Sequence, residues 1–144
     1  MKRIYIAAVI VCALSWAACG HADQFFAPNG SVVSADSPVG RAFESRTSNV
    51  QVEGEGVVTR LLPDDLAGSK HQRFIVRLAS GQTVLIAHNI DIAPRVVGLQ
   101  QDDRVRFYGE YVWNEKGGLV HWTHHDPKGY HTAGWLKHGG RTYQ

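Results

Sequence analysis

Disulfide chemistry is nearly absent from the sequence. The 144 residues hold two cysteines, Cys12 and Cys19, both within the first 22 positions. A chain cleaved after residue 22 has none, which excludes a disulfide partner, a disulfide framework and a thiolate metal site. A membrane-length apolar run is also lacking. The stretch from Ile4 to Ala18 is broken at Ser15 and falls short of the roughly 20 residues a helical span needs. Excess charge of one sign is missing as well. The full chain has 15 basic and 13 acidic residues, and losing Lys2 and Arg3 with the first 22 residues leaves 13 of each. Net charge therefore gives no argument for polyanion binding. No solenoid-type repeat is visible.

The first 22 residues read as a secretory signal: Lys2 and Arg3, the apolar run, then Ala17, Ala18, Gly20 and Ala22. Cleavage before Asp23 predicts a soluble periplasmic or secreted protein. The alternative is a lipoprotein signal over 1–18, with Cys19 acylated and the chain anchored to the envelope membrane. Residues 23–48, rich in Ser, Ala, Pro and Gly, read as a flexible leader, with room for one helical turn at Val39–Arg46.

Strand patterning begins at Asn49. The segment to Leu62 carries Gly54 and Gly56 among valines, a sign of bending or close backbone approach. From His71 to Ala79, Phe74, Val76 and Leu78 face one way, and Arg73, Ile75 and Arg77 the other. Ser80-Gly81-Gln82 marks a hairpin into Thr83–His88. Ile92–Leu99 fits a short helix or turn. Arg104–Asn114 alternates again, Glu115–Gly118 turns, and Leu119–His125 is a fifth strand. Three strands, a short helical connection and two strands are the order of an oligonucleotide/oligosaccharide-binding (OB) barrel. The fold expected is all-β: a five-stranded barrel over residues 49–144, with 126–144 wrapped around it as a tail.

Three polar segments stand out: His71-Gln72-Arg73, His88-Asn89-Ile90-Asp91 and His121 to Pro127, followed by His131 and His138. His121 and His125 would sit roughly 13 Å apart on a straight strand. His124, His125, Asp126 and His131 form a more reachable ligand set, whose imidazoles and carboxylate suit Zn²⁺, Mn²⁺ or Fe²⁺. The alternative is that these histidines cap loops through hydrogen bonds. In a hydrolase, His71, His88 and Asp91 would join them, with Arg73 stabilising phosphoryl charge. In a binder, Arg77, His121 and Trp122 would hold an anionic or sugar-like ligand.

The runs His71–Val76, Leu85–Asp91, His121–Pro127 and Gly134–His138 resemble a family of small exported bacterial proteins carrying a domain-of-unknown-function label. That likeness runs from about Val52 to Gln144 and implies no activity. A second likeness is to the thermonuclease (staphylococcal nuclease-like) group, also OB-folded. In that group an Ile-Asp-x-Pro-Glu-type segment after a strand pair holds a calcium-binding Asp and a catalytic Glu. Here Asp91 matches the Asp, one extra residue intervenes, and Arg95 stands near the position of the Glu. The resemblance implies Ca²⁺ at Asp91 and puts the catalytic inheritance in question; His88 is the candidate replacement base.

The functions expected are, first, an exported OB-type module binding a polyanionic or sugar-like ligand, nucleic acid or saccharide. The second is a metal-dependent phosphodiesterase or nuclease. The third is a structural protein of the envelope.

Overall fold

A computed structural model describes residues 37–144. The signal, the cleavage point and residues 23–36 of the leader lie outside them. The remainder of the leader is folded. Pro38–Glu44 form a helix, α1, because Ser37 Oγ accepts from the Gly40 amide at 3.0 Å and Pro38 starts the first turn. Its Val39 and Ala42 are buried in the core, so the packed domain begins well before residue 49.

Seven strands follow: β1 (Val50–Asp65), β2 (His71–Leu78), β3 (Thr83–Asn89), β4 (Arg104–Val112), β5 (Leu119–His121), β6 (Trp135–His138) and β7 (Arg141–Tyr143). The all-β expectation holds. Five strands form a ring: β1 pairs with β2, β2 with β3, β3 in parallel with β5, β5 with β4, and β4 back with β1. The ring joins the five strands that the sequence pattern predicts. The tail differs from expectation. Instead of wrapping as a loop it adds β6 along β4 and then the hairpin partner β7. β5 is also shorter than its sequence pattern, because the backbone turns left-handed at Trp122 (φ 50°).

The expected alternation places Phe74, Val76, Ile86, Val105, Phe107, Tyr111 and Val120 inside the ring, all fully buried. β1 serves two neighbours. Its Gly56 lies opposite both Leu78 and Val105, where a Cβ would strike the Arg77 carbonyl, so only glycine lets the strand change partners there.

The connection from β3 to β4 contains turns and no helix. Its hold comes from buried polar side chains. Gln72 receives the Val96 amide at 2.9 Å and donates to the Val96 carbonyl at 3.1 Å. Ala93, Val96 and Leu99 are thereby turned inward. Among the described residues, no helix is long and apolar enough to cross a membrane.

Candidate functional site

The outer face of β2 and β3 is a run of paired, partly exposed side chains: His71 opposite Asn89, Arg73 opposite Ala87, Ile75 opposite Leu85, Arg77 opposite Thr83. At the hairpin end, a groove of about 220 Å³ has an apolar floor of Leu62, Ile75 and Leu85. Its rim is polar, made of Thr83, Asn114 and Lys116. Alternation dictates this placement: the inward partners Phe74, Val76, Val84 and Ile86 take the core, leaving their neighbours outside.

The other end of the face carries the imidazoles. His88 points inward and is fully buried. Its Nε2 lies 3.0 Å from the Pro94 carbonyl, and its Nδ1 2.9 Å from Thr123 Oγ1. A carbonyl only accepts, so Nε2 carries the proton and Nδ1 accepts the Thr123 hydroxyl. Burial drives the His88 pKa down to about 4. His88 is thus a neutral tie between β3, the 90–103 connection and the chain after β5. The role of candidate base is lost, because both ring nitrogens are engaged.

Above it lies a stacked group. The Trp122 indole stacks on His131 with centroids 3.7 Å apart and planes 14° apart, and His124 lies 5.3 Å from Trp122. Glu110 on β4 stands between two imidazoles. Its Oε1 is 3.4 Å from His121 Nε2 and its Oε2 is 3.7 Å from His131 Nδ1. The His121 nitrogen is buried, and at that distance it makes no hydrogen bond of proper geometry. Burial lowers the His121 pKa, against the opposing pull of Glu110. Burial likewise lowers that of His124, whose Nδ1 donates to the His125 carbonyl at 2.7 Å. His71, partly buried at the head of β2, is close enough for its charge to bear on His88, His121 and His124.

The expected ligand set is not assembled. Both Asp126 oxygens accept backbone amides, from Lys128, Tyr130 and His131 at 2.9, 2.6 and 2.9 Å, and these bonds hold its pKa low. His125 is exposed. Among the described residues, no group of three or more His, Cys, Asp or Glu side chains is placed to hold a metal ion. Asp91 accepts the Lys70 amide at 2.8 Å and closes the loop before β2. Arg73 turns its fork to the Pro63 carbonyl, at 3.1 and 2.9 Å. Arg77 is exposed, six residues along β2 from His71 and roughly 20 Å away at strand spacing.

Against this geometry, the profile of one protein family, described as "Protein of unknown function (DUF3465)", matches residues 25–144. The chain belongs to the DUF3465 family. No curated protein and no solved structure matches it. In this DUF3465 chain, Arg95 pairs with Asp64 through two bonds of 3.2 and 2.6 Å. That arginine braces β1 against the 90–103 connection.

Two participants of the site were not singled out from sequence: Glu110 and Thr123. Glu110 had a usable signal. It sits on the outward phase of β4, and a strand pairing of β4 with β5 places it directly opposite His121.

Proposed function

We propose that this DUF3465 protein is an exported binding module that holds an extended polar oligomer, polyanion or saccharide, across the outer face of β2 and β3. The observation that carries this reading is the groove with an apolar floor of Leu62, Ile75 and Leu85 and a polar rim of Thr83, Asn114 and Lys116. Flat ligand faces pack on such a floor while rim groups fix orientation. OB-type folds use the same strands and the adjoining β4–β5 loop for oligonucleotides and oligosaccharides, which is support by analogy of fold alone. The hydrolase reading loses support because His88, Asp91, Asp126 and Arg73 are each engaged by backbone or hydroxyl partners. Export rests on the charged start, apolar run and small-residue exit of residues 1–22.

The test is an amide chemical-shift titration of the isotopically labelled protein with a twelve-nucleotide oligothymidylate and with neutral tetrasaccharides. Shifts should concentrate on residues 75–85 and 114–118. Shifts confined to other surfaces, or none with either probe class, would overturn the proposal.

A further inference from the structure

The groove does not end at Lys116. A second cavity, of about 590 Å³, lies between α1 and the two hairpin turns. It shares Thr83 and Lys116 with the first, so the two form consecutive basins on one side of the molecule. The turns are held in place by Gly117: a Cβ there would strike the Thr83 carbonyl, so only glycine lets the 115–117 turn lie against the start of β3. Gln82 Nε2 adds a bond to the Gly117 carbonyl at 3.1 Å.

We infer that the two basins together form one site for a neutral oligosaccharide. The inference rests on the binding-module reading above and names its ligand class. The chemistry of the second basin decides between saccharide and polyanion. Phe43, packed against the core, supplies an aromatic wall. The exposed carboxylates of Glu44 and Glu115 line the same space, and among the described residues neither makes an ion pair. Among the described residues, Lys116 is the one cation lining the two basins. A phosphate or sulfate chain laid through this space would meet two carboxylates, and like charges close together repel. Sugar hydroxyls meet acceptors instead. A carboxylate accepts two or more hydroxyl donors, and the C–H face of a pyranose packs against an aromatic ring. Further polar groups are free to bond. Asn114 uses its Oδ1 on the Lys116 and Gly118 amides, at 2.9 and 3.2 Å, which leaves its NH₂ to donate. Two basins in series require a chain of several rings.

The test uses the purified protein with chitotetraose, cellotetraose and maltotetraose, the corresponding disaccharides, and the oligothymidylate, followed by amide shifts at low and high salt. At least one tetrasaccharide should move amides in both basins, Phe43 and Gln82 in one and Leu85 and Lys116 in the other. It should bind more tightly than its disaccharide, with affinity little changed by salt. The double variant Glu44→Gln, Glu115→Gln alters only exposed groups. It should weaken the sugar by about fivefold or more through lost charged acceptors, with an unchanged spectrum of the core. Oligothymidylate binding in the groove with no response to any sugar would overturn the saccharide inference and leave the binding module standing. Sugar shifts limited to the first basin, or an unaffected double variant, would overturn the two-basin site. Failure of every probe to move the groove would overturn both readings.

Discussion

At the scale of single residues, the side chains with the most catalytic character serve as structural ties. His88 illustrates how hidden that is in a sequence. A histidine at a strand end beside an aspartate reads as a base, and nothing in the local pattern reports that Pro94 and Thr123 will take both nitrogens. Asp126 misleads in the same way, since its three amide partners lie within five residues and form a loop cap. The depressed pKa of His88 makes stability depend on acid. Above pH 6.5 neither the folded nor the unfolded state binds the proton. As pH falls from 6.5 toward about 4, the unfolded chain takes it up and the folded one does not. Folding should lose about 3 kcal/mol over that window, at roughly 1.4 kcal/mol per pH unit. His121 and His124, also lowered, push in the same direction. The melting midpoint should be flat above pH 7 and fall steeply below 6.5. His88→Gln should cost about 2 kcal/mol at neutral pH and flatten the acid limb. An equally steep limb in that variant would place the acid sensitivity elsewhere.

At the scale of elements, strands with long alternation were legible and short ones were not. β2, β3 and β4 appear within two residues of their sequence pattern, because period-two burial over seven to nine residues is hard to produce otherwise. β6 and β7 have only four and three residues, too few to show a period, and they lie in a tail whose Gly and His content resembles a loop. α1 was visible as a possible turn, but its burial depends on Val39 and Ala42 finding the ring, which is tertiary information. The 90–103 connection is the element most dependent on one side chain. Gln72→Leu keeps the volume but leaves the buried Val96 amide and carbonyl without their partner. The expected cost is about 2–3 kcal/mol, with faster hydrogen exchange across 90–99 and little change at the β2–β3 pairing. Unaltered exchange at Val96 would show that the connection holds by its apolar contacts alone.

At the scale of the whole molecule, the proposed export has a direct readout. Mass spectrometry of the native protein should find a chain beginning at Asp23, or at a lipid-modified Cys19; an intact Met1 chain in the cytoplasm would count against both. The closed ring bears on how such a chain matures. Val50 lies opposite Tyr111 and Val57 opposite Arg104, so the first strand waits for residues about fifty positions downstream before its pairing is complete. Chains dominated by such distant pairings fold slowly, because the loop must close before any contact rewards it. Until β4 arrives, the edge of β1 from residue 50 to 57 presents unpaired amides and carbonyls, a template for joining another chain. A nascent or truncated product ending before Arg104 would therefore be aggregation-prone rather than half-folded. For a protein threaded through a membrane from its N-terminus, the same delay keeps the chain linear until most of it has passed.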